Sequence, residues 1–184
     1  NGVQINGFST ATGGGLLNED WLLSPRMDLT TLTVPLLRFY SRSRFSGMPL
    51  RLLVSTNYSG TGDPTLATWT EVFGDFPAVN SDRWKLSDSI NLTPFRSPQT
   101  TVAWVYQSNP TEGASRWTVD EILLYSNSAP PQPQVVLPAA QARLLLFPIL
   151  QAGTSSASQL FRFWPLNHNG TLTLTAPAGF ELSR

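Results

Sequence analysis

The sequence predicts an all-β protein with a β-sandwich fold, and three observations support this prediction. Charged residues make up only 13% of the 184-residue chain and apolar residues make up 41%, which is enough to bury a core. The 15 prolines and 13 glycines indicate many turns and short elements. No long segment free of Pro and Gly shows the apolar spacing of an amphipathic helix.

Short runs rich in β-branched and aromatic residues recur through residues 1–126. Polar turns rich in Gly and Pro separate them, for example Ser46–Pro49 and Asn109–Gly113. Short strands at such spacing are typical of a β-sandwich. The predicted strands are Val3–Phe8, Trp21–Ser24, Leu36–Ser41, Leu50–Ser55, Trp69–Phe73, Trp84–Leu92, Thr101–Gln107 and Trp117–Tyr125.

The run Thr101–Gln107 indicates how the layers are arranged. Side chains alternate between the two faces of a strand, and here both faces are apolar. One face carries Val102, Trp104 and Tyr106, and the other carries Ala103 and Val105. We therefore expect a layer on each side of this strand. In Trp117–Tyr125 the same period places Thr118, Asp120, Ile122 and Leu124 on one face and Val119, Glu121, Leu123 and Tyr125 on the other.

A break in the pattern divides the chain into two predicted units. Residues 127–134 are polar and rich in proline, which favours an extended, semi-rigid linker. Residues 135–184 then form a second β unit that is too short for a closed sandwich, so we expect it to be incomplete. Its predicted strands are Ala142–Phe147, Leu160–Trp164, Thr171–Thr175 and Phe180–Ser183.

Composition argues against several classes of function. The absence of cysteine excludes disulfides, thiolate catalysis and zinc ribbons. Net charge is zero and no basic run is present, so we expect no nucleic-acid partner. No apolar run has the roughly 18 residues of a membrane helix. A catalytic triad would have to use His168, the single histidine, which lies in a polar turn, and no spacing selects a pair of glycosidase carboxylates. We predict that the chain is not an enzyme.

An ordered series of segments within residues 1–126 resembles the choice-of-anchor J domains, which are related to the cleaved-adhesin modules of Bacteroidetes surface proteins. The segments are Val3–Phe8, Asn18–Pro25 with Met27–Leu29, Leu52–Tyr58, Asp63-Pro64, Ala67–Glu71, Thr101–Ser108 and Arg116–Ile122. This resemblance implies a jelly-roll sandwich in an exported, cell-surface or secreted, multidomain protein.

Ser158–Phe161 and Leu172–Ser183 resemble an immunoglobulin-like repeat, although Trp164–Gly170 between them departs from the usual turn. The resemblances also lead us to expect that both ends of the chain fall within a domain. An unfinished sandwich exposes a strand edge, which a copy of the chain or the rest of a longer precursor could complete.

The resemblance also implies a calcium site, because cleaved-adhesin relatives bind calcium. By this comparison Asp20 and Asp120 lie where early and late strands approach each other, and Glu19 and Asn18 could add oxygen ligands. The alternative is that Asp120 accepts hydrogen bonds from buried backbone. Beyond such structural calcium we predict no cofactor.

The six tryptophans suggest carbohydrate binding, because aromatic faces stack on sugar rings. Trp104 and Trp117 lie within apolar alternation and are expected in the core. The candidate ligand residues are Trp69 and Trp84, which have polar neighbours, and Trp164, although packing is the alternative for each. We therefore predict a non-catalytic adhesion or binding module for a glycan or a surface protein. The alternatives are a structural spacer or assembly subunit completed by strand exchange, and an accessory domain of a secreted hydrolase.

Overall fold

The computed structural model describes residues 2–127, 134–137, 154–160, 162–167 and 171–182, and confirms the all-β prediction. Its strands are β1 (Val3–Asn6), β2 (Phe8–Ser9), β3 (Gly14–Gly15), β4 (Asn18–Leu23), β5 (Val34–Arg44), β6 (Arg51–Ser55), β7 (Thr70–Val72), β8 (Trp84–Leu86), β9 (Ile90–Asn91), β10 (Thr101–Ser108), β11 (Arg116–Asn127), β12 (Gln134–Val136) and β13 (Trp164–Leu166). Single turns of 3-10 helix cover Pro64–Leu66 and Thr93–Phe95.

Two antiparallel sheets form the sandwich. The five-stranded sheet has the order β1-β11-β5-β8, and β9 pairs with β5 beside β8. The four-stranded sheet has the order β4-β10-β6-β7. Strands β10 and β11 follow each other in sequence but lie at or near the centre of different sheets, so the chain crosses repeatedly between the layers.

The main core lies between the two sheets. Alternate residues of β10 point inward and meet the inward residues of β5, β6 and β11, as a period of two requires. Trp104 and Trp117 are 2% and 1% exposed, which confirms that both are core residues. The other large, fully buried side chains include Leu29, Leu36, Leu37, Phe39, Leu52, Leu92 and Tyr106.

A second, smaller apolar cluster lies on the outer face of the four-stranded sheet. Leu53, Ala103 and Val105 are buried there, and Trp21, Leu23 and Trp69 pack over them. The prediction of a layer on each side of β10 is therefore correct for the inner face only, because no further sheet of the described residues lies on the outer face. The cover on the outer face consists of side chains of the same sheet and its loops rather than a further sheet.

Strand β11 departs from the regular alternation that its sequence predicts. Its pairing with β5 shifts between Asp120 and Leu123, and Glu121 has a φ of 47°. Such a bulge adds one residue to the strand and reverses which side chains face inward. Leu124 consequently packs against the main core, although strict alternation places it with the outward-facing Thr118.

The C-terminal part differs from its predicted strands. Most of the predicted linker and all of Ala142–Phe147 lie outside the described residues. Strands β12 and β13 pair with each other as a two-stranded sheet. Residues Thr171–Thr175 and 180–182 are not strands, because two-residue alternation alone supplies no pairing partner and Leu172 and Leu174 remain exposed. Among the described segments, no helix combines the length and hydrophobicity that crossing a membrane requires.

Candidate functional site

The outer face of the four-stranded sheet carries a pair of tryptophans, which we call the aromatic face together with the polar side chains around it. Trp21 lies on the edge strand β4, and Trp69 immediately precedes β7. Their ring centroids are 5.3 Å apart and the rings are tilted by 54°. Both side chains are half-buried, because their inner edges cover Leu53, Ala103 and Val105 while the rest remains open to solvent.

Both indoles are held in place by hydrogen bonds. Nε1–H of Trp21 donates to Oε1 of Glu19 at 2.8 Å, and Nε1–H of Trp69 donates to the carbonyl oxygen of Pro64 at 2.8 Å. The ring of Tyr58 packs 5.7 Å from that of Trp69. Because these contacts restrict the rings, little conformational entropy would be lost if a ligand bound to them.

Polar side chains border the indoles on the same face. Nε2 of Gln107 donates to Oε2 of Glu19 at 2.6 Å, across the pairing of β4 with β10. Arg51 donates to Oε2 of Glu71 through Nη2 at 2.8 Å and through Nε at 3.1 Å. The carbonyl oxygen of the Gln107 amide and the second lone pair of each Glu19 carboxylate oxygen remain able to accept hydrogen bonds from a ligand.

The charges around the indoles have an excess of acid. Hydrogen bonds donated by Trp21 and by Gln107 hold the pKa of the Glu19 carboxyl below its ordinary value of 4.5. Hydrogen bonds from the hydroxyl and backbone N–H of Thr65 likewise lower the pKa of Asp63. Both groups are therefore ionised at neutral pH. Together Glu19, Asp63 and Glu71 outnumber Arg51.

The three tryptophans predicted as ligand residues do not come together. Trp69 belongs to the aromatic face. Trp84 lies on β8 at the outer face of the other sheet, where it is 46% exposed. Trp164 lies on β13, half-buried, with its ring centroid 5.3 Å from that of Phe73. The pair that the fold assembles is Trp69 with Trp21.

The residues predicted to bind calcium occupy three different environments. Glu19 lies on the aromatic face, whereas its neighbour Asp20 faces the interior and accepts a hydrogen bond from Nδ2 of Asn18. Asp120 lies on the other sheet, where its Oδ1 accepts from the backbone N–H of Glu121 at 2.8 Å. Within the part of the chain that the structure describes, no three His, Cys, Asp or Glu side chains form a group that could hold a metal. Calcium binding stays a prediction, and His168 lies outside the described residues.

The sequence did not single out Trp21, Gln107, Arg51 or Glu71 as a site. Each lies on a different strand, and only the register of the four-stranded sheet places Glu19 opposite Gln107 and Leu53 opposite Glu71. The one local signal was the position of Gln107, which shares the Ala103 and Val105 face yet is polar. Compared with protein-family models and with curated protein sequences, the chain has no match.

Proposed function

We propose that this chain is a non-catalytic binding module that recognises neutral glycans through its aromatic face. The observation that carries the proposal is the Trp21–Trp69 pair, fixed by hydrogen bonds and bordered by the Glu19 carboxylate and the Gln107 amide. A sugar ring presents an apolar C–H face surrounded by hydroxyl groups. The two indoles match the apolar face, and the carboxylate and amide match the hydroxyls.

The net charge of the aromatic face indicates which glycans we expect it to bind. Glu19, Asp63 and Glu71 around Arg51 leave the face with an excess of negative charge at neutral pH. Like charges across an interface cost free energy, so uronate-rich or sulfated chains are disfavoured. Neutral sugars carry no such penalty, and their hydroxyls can donate to the acidic oxygens.

The wider setting of the module rests on the resemblance of residues 1–126 to choice-of-anchor J domains. On that basis we propose that it works outside the cell, as part of a secreted or surface-attached protein of the kind found in Bacteroidetes. The aromatic face would then serve attachment to a glycan surface. This part of the proposal depends on sequence similarity, whereas the binding face depends on the geometry of the four-stranded sheet.

The binding proposal is tested with a panel of hexasaccharides of β-linked glucose, mannose, xylose and N-acetylglucosamine, alongside polygalacturonate and heparin as acidic probes. Isothermal titration calorimetry is expected to show binding of at least one neutral member. Trp69→Ala should weaken that binding roughly 30-fold, equivalent to about 2 kcal/mol. Trp84→Ala, on the other sheet, is the matched control and should bind as the wild type does.

A near-ultraviolet circular dichroism spectrum shows whether Trp69→Ala still folds, because this indole also covers Leu53. Gln107→Ala is a second variant that leaves both indoles in place and should weaken binding to a smaller extent. Binding of the acidic probes alone would overturn the proposal. An equal loss of affinity in Trp84→Ala would do so as well.

A further inference from the structure

A cavity of about 380 Å³ opens at one end of the four-stranded sheet, directly beside the aromatic face. It is lined by the start of β4, the end of β10 and the turns around them. Glu19 and Gln107 contribute both to this cavity and to the border of the indoles. The end cavity and the aromatic face are therefore continuous, with one hydrogen-bonded pair between them. The volume falls within the roughly 300–1,000 Å³ of small-molecule sites.

The polar groups of the end cavity are held in defined positions. Oδ1 of Asn109 accepts from the backbone N–H groups of Thr111 at 2.9 Å and of Glu112 at 2.7 Å. This fixes the amide plane and leaves its NH₂ group beside the thioether of Met48, at 3.7 Å from the sulfur, which is a weak acceptor. A fixed amide donor thus lines the same cavity as the acceptors of Glu19 and Gln107.

One wall of the end cavity is apolar and open to solvent. Leu17 lines it and is 87% exposed, and the thioether of Met48 stands on the same cavity. An apolar wall combined with fixed donors and acceptors matches a sugar ring, which has a C–H face and a hydroxyl rim. A flat aromatic or aliphatic ligand would make no use of the remaining lone pairs of the Glu19 carboxylate or of the second N–H of the Asn109 amide.

We propose that the end cavity is a second sugar subsite, so that the chain recognises an extended oligosaccharide rather than a single sugar or a chain end. One ring stacks on the Trp21–Trp69 pair and a neighbouring ring of the same chain enters the end cavity. Glu19 and Gln107 lie between the two rings and contact both. Trp21 and Glu19 are two residues apart on β4, about 7 Å at the rise of an extended strand, which a single oligosaccharide spans. This inference rests on the proposed glycan-binding function.

Chain-length dependence tests the second subsite. Calorimetric titration uses the monosaccharides, disaccharides and hexasaccharides of glucose, mannose, xylose and N-acetylglucosamine. In the wild type, the hexasaccharide of the preferred sugar should bind at least roughly tenfold more tightly than its monosaccharide. Leu17→Asp should remove that gain and leave monosaccharide binding unchanged. Met48→Ala should reduce the gain without adding a charge, and Leu86→Asp on the other sheet is the matched control.

The outcomes separate this inference from the function on which it rests. If every length binds with equal affinity and Leu17→Asp and Met48→Ala behave as the wild type does, the second subsite is absent and the aromatic face alone binds. If no neutral sugar of any length binds, the proposed function itself fails. The hexasaccharide could also keep its tighter binding in Leu17→Asp and Met48→Ala and lose it in Leu86→Asp. That result would place the second ring on the other sheet and overturn the inference.

Discussion

The outer faces of the two sheets differ in the types of side chain that they carry. On the four-stranded sheet, the outward residues Leu53, Ala103 and Val105 are apolar, and two tryptophans pack over them. On the five-stranded sheet, outward positions of β5 and β11 carry Arg38, Tyr40, Arg42, Arg44, Arg116, Thr118 and Asp120. The first face is acidic and aromatic, whereas the second is rich in arginine.

On the arginine-rich face, several guanidinium groups interact with a nearby carboxylate or aromatic ring. Asp82 pairs with Arg42 at 2.8 Å and lies 3.7 Å from Arg44. The guanidinium groups of Arg44 and Arg116 lie over the ring of Phe45, at 4.9 Å and 5.4 Å from its centroid. These long side chains cover part of the sheet with their aliphatic stems. The two sheets therefore expose aromatic rings in different settings: Trp84 lies singly among arginines, whereas Trp21 and Trp69 pack together and are fixed by hydrogen bonds. Our binding proposal depends on the second arrangement.

The largest expected effect is on the free energy of unfolding. It is measured by comparing an aspartate placed on the outer face of the four-stranded sheet with one placed on the outer face of the five-stranded sheet. Val105→Asp buries a charge beneath the indoles, where Val105 is 1% exposed, and should destabilise the fold by about 4 kcal/mol or more. Thr118→Asp lies opposite Arg42 on the other face and should change the free energy of unfolding by no more than about 0.5 kcal/mol. Urea denaturation measures both. Equal stability of the two variants would mean that the outer cluster is not a packed layer.

Lowering the pH should have a smaller effect on stability and glycan affinity, because it protonates a single carboxylate of the aromatic face. The pKa of Glu19 is lowered in the folded protein, so the stability that its ionised form contributes is present above 4.5 and is lost as pH falls through the lowered folded pKa. Glycan affinity should follow the same profile, flat from neutral pH down to about 5 and falling below it.

Glu19→Gln provides the control for the pH experiment, because Asp28 and Asp63 also have lowered pKa values. In this variant the acid-dependent loss of affinity should disappear. A wild-type affinity that already falls between pH 7 and 5 would contradict the assignment to Glu19.

The composition, turn residues and two-residue alternation predicted the sandwich and its core correctly. Trp104, whose neighbours alternate with it between two apolar faces, could be assigned to the core because burial depends on local pattern. Leu124 could not, since a bulge reverses the face of a strand and the residues around Asp120 give no local signal for one.

The candidate site was predictable only in part. Trp69 could be proposed as a ligand residue from its polar neighbours, and that role stays a prediction. Trp21, which packs against it, is distant in sequence and reaches it only through the order β4-β10-β6-β7. The polar residues beside the indoles also depend on strand pairing, because the register of β4 with β10 places Gln107 next to Glu19. The sequence of a single strand shows which of its side chains share a face. A surface built from several strands can be predicted only when the pairing of those strands is known.

The most direct test of the aromatic face is to follow the indole N–H signals of the tryptophans by two-dimensional ¹H–¹⁵N NMR, assigned by Trp→Phe substitution. The protein is titrated with the neutral hexasaccharide panel. Glycan binding at this face predicts that the signals of Trp21 and Trp69 shift together and saturably, while those of Trp84 and the buried Trp104 do not. Shifts confined to Trp84, or no shift with any member of the panel, would contradict it.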